Sequence, residues 1–248
     1  MDCGKSGLVS RLADAVAAVL VAPTCAACGA PLDAPTRGAV CEACWGAIVP
    51  ITPPCCRTCG DPLPSWRIVS LEAAQCARCR RHPTNVACSR AIGAYEGSLR
   101  AIVHAFKYDP RPTLAGPLAA RLARAGRDVL AEADFVVPVP LHPTRERTRG
   151  FNQARELARR LGVPMLDALR RTRRTRLQAD LPASRRHANV RGAFALAPRA
   201  TVAGRILVVV DDVSTTGATI AACARPLLAA GAREVRGLTA ARVVSRTR

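Results

Sequence analysis

Aromatic residues are scarce in this chain of 248 residues, at 3% of the composition. Its core must therefore be made mainly of Ala, Val and Leu, and an apolar content of 49% is sufficient for one α/β domain with a small appendage. Lysine is also scarce, because Lys5 and Lys107 are the only lysines among 37 basic residues. No run of about 18 apolar residues occurs, so we expect no membrane span.

Negative charge is sparse too, and the formal net charge of +19 is distributed unevenly. Residues 1–90 hold 9 basic and 6 acidic side chains, net +3, which leaves 28 basic and 12 acidic, net +16, for residues 91–248. A field of this sign attracts acidic partners, either a polyphosphate substrate or a nucleic acid. Residues 145–191 alone hold 14 basic and 4 acidic side chains, a cluster that fits a phosphate clamp, a nucleic-acid groove or a solvated face.

Disulfide spacing is missing, although the chain has 12 cysteines. Eight of them form four C-x-x-C pairs, a spacing typical of metal sites, which indicates a reducing compartment and a cytoplasmic protein. Two tetrahedral zinc ions would supply the stability that this segment, rich in Pro and Gly, cannot obtain from a core. The simplest pairing is sequential, with Cys25, Cys28, Cys41 and Cys44 on one ion and Cys56, Cys59, Cys76 and Cys79 on the other. The sequence also allows an interleaved pairing, and Cys55 is a candidate substitute ligand.

Five branched apolar residues, Ile206 to Val210, predict a strand buried on both faces. The acidic pair Asp211 and Asp212 follows it, and a hydroxyl-rich turn then leads into a predicted helix from Ile220 to Ala230. Backbone N–H groups at the start of that helix, with the hydroxyls beside them, suit a phosphate. The acidic pair suits sugar hydroxyls or a divalent metal, so the two halves together suit a ribose 5-phosphate. The turn consists of Ser214, Thr215, Thr216, Gly217, Ala218 and Thr219.

A second buried strand is predicted from Asp134 to Pro140, with prolines at its exit. The loop after it should face the same crevice as the acidic pair, because ligands collect at the carboxyl ends of the strands in a doubly wound sheet. We expect a diphosphate there, beside Arg147 and Arg149, with the next helix running from Gln153 to Leu161. The predicted loop comprises Leu141, His142, Pro143, Thr144 and Arg145.

Three other segments carry predictions. Lys107 ends an amphipathic helix, and an isolated lysine in a chain dominated by arginine fits either a specific role or a solvated helix end. The polar segment from Gln178 to Phe194 is typical of a mobile lid over an active site. Residues 1–22 predict a short amphipathic helix rather than a targeting signal, because Asp14 interrupts their apolar run.

The segment VVVDDVSTTGAT resembles the phosphoribosyl-diphosphate (PRPP) binding signature of type I phosphoribosyltransferases. With the four cysteine pairs, AFKY, VPVPLHPTRERTRGFNQA and QADLPASRRHANVRGAF, the chain from about Cys25 to Val244 looks like the ComF family of competence and DNA-uptake proteins. The resemblance implies an α/β fold of the type I phosphoribosyltransferase class, a mostly parallel sheet flanked by helices, preceded by a small zinc-ribbon domain. The predicted domains are an N-terminal helix over 1–22, a double zinc ribbon over 23–88 and a phosphoribosyltransferase-like domain over 89–248.

The resemblance also implies roles for the candidate residues. Asp211 and Asp212 would bind the ribose hydroxyls and help to hold Mg²⁺, and with Lys107 they are the catalytic candidates. The turn from Ser214 to Thr219 would bind the 5-phosphate, and the loop from Leu141 to Arg145 the diphosphate. The predicted lid would cover the diphosphate with Arg185, Arg186 and Arg191.

The predicted function is PRPP and Mg²⁺ binding in the uptake of transforming single-stranded DNA, with the DNA-uptake machinery as a candidate partner. Two alternatives stay open from the sequence. One is a metabolic transferase that moves phosphoribose from PRPP to a nucleobase or an amine, and the other is a non-catalytic nucleic-acid binder. None of the four histidines is a clear general base, and the sequence does not identify an acceptor.

Overall fold

The computed structural model describes residues 14, 22–64, 74–108, 112–173, 175 and 182–245. The predicted N-terminal helix over 1–22 lies outside these residues, apart from Asp14 and Ala22. Within the described ranges no helix has the length and apolar character that a membrane crossing requires.

Six strands and nine α-helices carry the fold in the described part of the chain, with two short 3₁₀-helices at Pro35–Arg37 and Pro112–Leu114. The strands are β1 (Ser89–Ala94), β2 (Phe135–Pro138), β3 (Leu169–Arg171), β4 (Phe194–Leu196), β5 (Ile206–Ser214) and β6 (Glu234–Arg242). The helices are α1 (Glu42–Gly46), α2 (Ala77–Arg81), α3 (Gly97–Tyr108), α4 (Ala115–Ala125), α5 (Arg127–Leu130), α6 (Pro143–Arg149), α7 (Gln153–Ala158), α8 (Ala183–Val190) and α9 (Ala218–Ala229).

The main sheet has the order β1-β6-β5-β2, and each neighbouring pair is parallel. Its central strand β5 lies with Val209 opposite Gly237 of β6 and Val137 of β2. A parallel bridge between Val136 and Met165 extends the sheet beyond β2. Strands β3 and β4 form a separate antiparallel pair. All carboxyl ends of the main sheet therefore lie along one edge, where the candidate site is expected.

The side chains of β5 alternate between two apolar layers. Val208 and Val210 pack with residues of α3, α4 and α7, whereas Leu207 and Val209 pack with residues of α9. A strand without a polar face is typical of a parallel sheet covered on both sides. The predicted buried strand is thus present, but it continues through Ser214, since β6 remains paired with it as far as Arg242. Asp211 and Asp212 belong to the strand and not to the following loop.

Three further sequence expectations, one loop and two helices, were wrong in their boundaries. The predicted loop from Leu141 to Arg145 is helical from Pro143, because His142 caps α6, a proline occupies its first turn and Gly150 ends it in the left-handed region at φ 77°. The predicted lid contains α8, which packs against α9; Gln178 to Leu181 lie outside the described residues. The helix predicted to reach Leu161 ends at Ala158, and the one predicted from Ile220 begins at Ala218.

The cysteine-rich segment has little regular structure and joins the sheet at its β1 edge. The amide of Ala94 donates to the carbonyl of Val49 at 2.9 Å. This approach requires a glycine at position 93, because a Cβ there would lie 2.5 Å from the same carbonyl oxygen. The segment is therefore anchored to the sheet by backbone contacts.

Candidate functional site

The acidic pair lies at the carboxyl end of β5 and contacts Lys107. The Nζ atom of Lys107 is 3.2 Å from Oδ2 of Asp212, and these side chains are 17% and 15% exposed. The amide of Asp212 donates to Oδ1 of Asp211 at 2.9 Å. An ion pair with so little exposure is screened only weakly, so it holds the three groups in a defined arrangement.

Burial of Asp211, together with the charge of Asp212 beside it, raises the pKa of the Asp211 carboxyl to about 7. The positive charges of Lys107 and Arg171 partly offset this rise. A carboxyl with this pKa exchanges its proton near neutral pH, so a cation placed between the two aspartates would compete directly with that proton. The pair therefore suits a divalent metal.

The segment RGFNQ, residues 149–153, holds Lys107 in place. The amide of Gln153 donates through Nε2 to the carbonyl of Lys107 at 3.4 Å, and Arg149 donates to Oε1 of Gln153 at 3.3 Å. Phe151 contacts Phe106 edge to face, with ring centroids 5.8 Å apart. The segment thus connects the end of α3 to α7.

Asn152 joins the same segment to the crevice. Its side chain caps α7 by accepting from the amide of Arg155 at 3.3 Å, and its Nδ2 donates to the carbonyl of Val139 at 3.1 Å. From the sequence we predicted only the helix that begins at the next residue, Gln153. The second contact of Asn152 fixes the chain just after β2, which no local pattern indicates.

The predicted diphosphate loop is short in the structure, because only Val139 to His142 precede α6. His142 accepts from the amide of Thr144 at 3.4 Å, and the two side chains lie 2.9 Å apart. Arg145 donates to the carbonyl of Thr175 at 2.6 Å. His142 is therefore occupied as a helix cap, and Arg145 anchors the chain after β3.

Arg171 is a residue of the crevice that sequence reasoning missed. It lies on β3, donates to the carbonyl of Pro140 at 3.5 Å and contacts the hydroxyl of Thr175. Burial, and then the charge of Arg145, lowers the pKa of its guanidinium, while the charge of Asp211 acts in the opposite direction. The sequence signal was weak, because Arg171 is one of many arginines in that region.

The predicted lid arginines occupy different surfaces of the α8 region. Arg185 and Arg191 are exposed and Arg186 is half-buried. Nη2 of Arg173 donates to the backbone carbonyl of Arg191 at 2.7 Å, which ties the end of α8 to the chain after β3. The contact of these three arginines with a diphosphate stays a prediction.

The predicted 5-phosphate turn follows β5 directly. Ser214 is buried, and Gly217 adopts a left-handed conformation, φ 80°, immediately before α9. That conformation favours glycine and lets the chain turn sharply into the helix. The amides at the start of this 12-residue helix suit an anion.

Two compact cysteine clusters form in sequential order. Cluster 1 comprises Cys25, Cys28, Cys41 and Cys44, and cluster 2 comprises Cys56, Cys59, Cys76 and Cys79; in each, all four Sγ atoms lie within 4.8 Å of one another. The Sγ atoms of Cys28 and Cys41 are 3.9 Å apart, and those of Cys59 and Cys76 are 3.6 Å apart. A tetrahedral zinc–thiolate site has edges of about 3.8 Å, so both clusters fit zinc. Cys55 belongs to neither cluster.

Known protein families match both parts of this arrangement. A model described as a double zinc ribbon domain matches residues 16–80, and one described as a phosphoribosyl transferase domain matches residues 147–248. The DNA utilization protein YhgH of Salmonella typhi is 33% identical over 224 residues, which cover 85% of this chain and 93% of that protein. The chain belongs to the ComF family.

Two other relatives carry competence names. Competence protein F of Haemophilus influenzae is 31% identical over 73% of this chain and 82% of its own length, and competence protein ComFC of Streptococcus pneumoniae is 32% identical over 59% and 64%. The glutamine PRPP amidotransferase of B. subtilis aligns with 54% of this chain and 30% of its own at 24% identity and a TM-score of 0.36. The predicted fold class is confirmed: a parallel sheet flanked by helices follows a double zinc ribbon.

Proposed function

We propose that this ComF protein binds PRPP with Mg²⁺ at the carboxyl ends of β2 and β5, in the cytoplasm, as part of the handling of transforming single-stranded DNA. One observation carries the proposal. The two aspartates end the central strand, Lys107 contacts one of them at 3.2 Å, and a left-handed glycine then leads into a helix start. Carboxylates that can bind a cation and amides that can bind an anion therefore lie a few residues apart in the chain. A phosphorylated sugar with its metal ion needs both kinds of group.

The proposed ligand contacts follow the chain. Asp211 and Asp212 bind the ribose hydroxyls and Mg²⁺, and the turn from Ser214 to Thr219 binds the 5-phosphate. The segment from Leu141 to Arg145 faces the diphosphate, to which Arg171 adds a half-buried positive charge. Positioning and charge stabilisation supply most of the rate in a reaction with an oxocarbenium-like transition state, so a transfer reaction here needs no dedicated base.

Titration calorimetry tests the PRPP site. We expect Asp211→Asn with Asp212→Asn to weaken PRPP binding in Mg²⁺ by at least about 100-fold, because the change removes charge and acceptors but preserves size. Asp128→Asn is the matched control, since Asp128 is 55% exposed and pairs with Arg90 away from the crevice. Equal affinity of the double variant and the wild type would overturn the assignment of the acidic pair.

The DNA role is supported by the names of the relatives and by the basic surface. Arg147 and Arg170 are exposed, whereas Arg159 and Arg160 pair with Glu156 at 3.0 and 2.8 Å. Binding of single strands through the unneutralised arginines should weaken with salt, with a log–log slope of about −0.7 for each phosphate contacted. Few aromatic side chains accompany them, so sequence preference should be weak.

Arg147→Ala and Arg159→Ala form the matched pair for this test at about 0.15 M salt, where long-range attraction is screened. Arg147→Ala should make the slope shallower by about 0.7, and Arg159→Ala should change it less. No detectable single-strand binding would favour the metabolic transferase, and a deletion strain would then show nucleobase auxotrophy with normal transformation.

A further inference from the structure

Arg242, at the end of β6, is a buried arginine beside the phosphate turn. It is 2% exposed. Its Nη1 contacts Oγ of Ser214 at 3.4 Å, and its Nε contacts Oδ1 of Asp61 at 3.2 Å. Its third nitrogen, Nη2, is buried with no hydrogen-bond partner among the described residues. A buried guanidinium N–H without an acceptor is costly, so an acceptor at this position would be bound favourably.

A small cavity lies beside Arg242 and the turn. It has a volume of about 30 Å³ and is lined in part by Arg242, Arg78, Ser214, Thr216 and Gly217. The hydroxyl of Thr216 is likewise buried without a partner among the described residues. The cavity adjoins the start of α9, where backbone amides favour an anion. Its size accommodates a water molecule or one oxygen of a phosphate held at the turn.

Asp61 connects this cavity to cluster 2. It lies two residues after Cys59, and its backbone carbonyl accepts from the amide of Cys56 at 2.7 Å. It is 2% exposed and contacts two guanidinium groups, those of Arg242 at 3.2 Å and Arg78 at 3.7 Å. Asp61 therefore holds both guanidinium groups beside the turn.

Arg78 forms the second connection. It lies between Cys76 and Cys79 on α2, its Nη1 donates to the carbonyl of Thr215 at 3.4 Å and its Nη2 contacts Sγ of Cys59 at 3.6 Å. One side chain therefore contacts both the metal-binding cluster and the backbone of the phosphate turn.

The two clusters are internal repeats of one sequence pattern. The residues that differ between them include those that contact Arg242 and the turn. Cluster 1 begins C-x-x-C-G-A-P-L and cluster 2 C-x-x-C-G-D-P-L, so Ala30 occupies the position of Asp61. The backbones agree, because Ala30 and Asp61 each accept from the first cysteine amide at 2.7 Å. In the second C-x-x-C pair, Ala43 likewise occupies the position of Arg78. Asp61 and Arg78 are thus not needed to form the cysteine turns.

We propose that cluster 2 is part of the phosphate site: Asp61 and Arg78 hold Arg242 and the turn in place, and Arg242 binds the phosphate monoester. The proposal rests on the proposed function for the identity of the full ligand. Cluster 1 has alanines at both positions and does not contribute to the proposed phosphate site.

Calorimetry with ribose 5-phosphate, which lacks the diphosphate, tests the proposal in the full chain with its metal bound. Asp61→Ala should weaken binding about tenfold or more, and Arg78→Ala about threefold, because each removes a charged contact. Zinc content, measured by metal analysis, should not change, since cluster 1 forms with alanine at both positions. Ala30→Asp is the matched control and should leave ribose 5-phosphate binding as in the wild type.

The outcomes separate this proposal from the PRPP site. Wild-type affinity in Asp61→Ala and Arg78→Ala would overturn the inference while PRPP binding stands. Binding of ribose 5-phosphate but not of PRPP with Mg²⁺ would overturn the proposed function, and the variants would still decide the inference. A wild type that binds neither compound overturns both. If Asp61→Ala loses zinc, the test depends on Arg78→Ala with its zinc retained. Wild-type affinity of that variant for ribose 5-phosphate would overturn the inference.

Discussion

The two cysteine clusters have the same backbone hydrogen bond at their first cysteine, but different residues surround them. In cluster 1, Cys25 and Cys44 pack into the same apolar layer as Leu99 and Ile102 of α3. Cluster 2 forms its own small apolar group with Leu63, and its charged neighbours lead to the phosphate turn. The comparison shows that two side chains, Asp61 and Arg78, connect cluster 2 to Arg242 and to the turn for which we propose phosphate binding.

We expect the largest effect from removal of the metal from both clusters. We expect two zinc ions per chain in a reduced preparation, since eight thiolates at this geometry have no other stabilising use. Zinc binding in such ribbons contributes about 10–16 kcal/mol, so chelation should unfold this segment and abolish phosphate binding.

Metal analysis and a thermal melt with and without chelator measure both effects. Fewer than about one zinc per chain, or a melt that a chelator leaves unchanged, would refute the assignment.

The pattern of the sequence predicted the features that depend on neighbouring residues. The apolar run of β5, the phosphate turn and the cysteine spacing all have a period or a gap that can be counted. The isolated Lys107 drew attention by composition, and it contacts Asp212. Each of these signals is local, which is why it could be found without the fold.

Features that depend on distant residues could not be predicted. Asp61 and Arg242 are 181 positions apart, and only the parallel pairing of β6 with β5 brings Arg242 to Ser214. The extension of β5 through Ser214 has the same cause. The helix from Pro143 was missed for a different reason, because a histidine is an uncommon cap and the apolar pattern gave no sign of it.

A smaller test compares the residues that follow the last cysteine of each cluster. Trp45 lies after Cys44, and the guanidinium of Arg121 stacks on its ring at 3.8 Å. Trp45→Ala should cost about 2 kcal/mol of folding free energy, from lost burial and the cation–π contact. Phosphate affinity should stay unchanged, because the contacts to Arg242 and the turn come from Asp61 and Arg78 beside cluster 2.

Arg80→Ala is the matched change, since Arg80 follows Cys79 and is exposed. It should alter stability by less than about 0.5 kcal/mol. Chemical denaturation measures both variants, and ribose 5-phosphate titration accompanies it. Loss of phosphate affinity in Trp45→Ala would show that cluster 1 also supports the site, and the comparison would fail.

The smallest expected effect is one of pH, and it separates the acidic pair of the crevice from both clusters. The pKa of Asp211 in the folded protein is raised to about 7 by burial and by Asp212, so between its ordinary value and 7 the folded state binds more protons than the unfolded state. Stability from this carboxyl is therefore fully present below its ordinary pKa, falls as pH rises from there, and is lost by about pH 7. Asp211→Asn removes the term, so without added Mg²⁺ the stability of the variant relative to the wild type should rise between pH 5 and pH 8 by about 1 kcal/mol, or roughly 3 °C in Tm. Zinc content is measured at both pH values, because zinc–thiolate binding depends on pH, and Asp128→Asn should run parallel to the wild type throughout. Parallel melting curves for Asp211→Asn as well would mean that Asp211 ionises without penalty, and the crevice would then lack the electrostatic strain that distinguishes it from the two clusters.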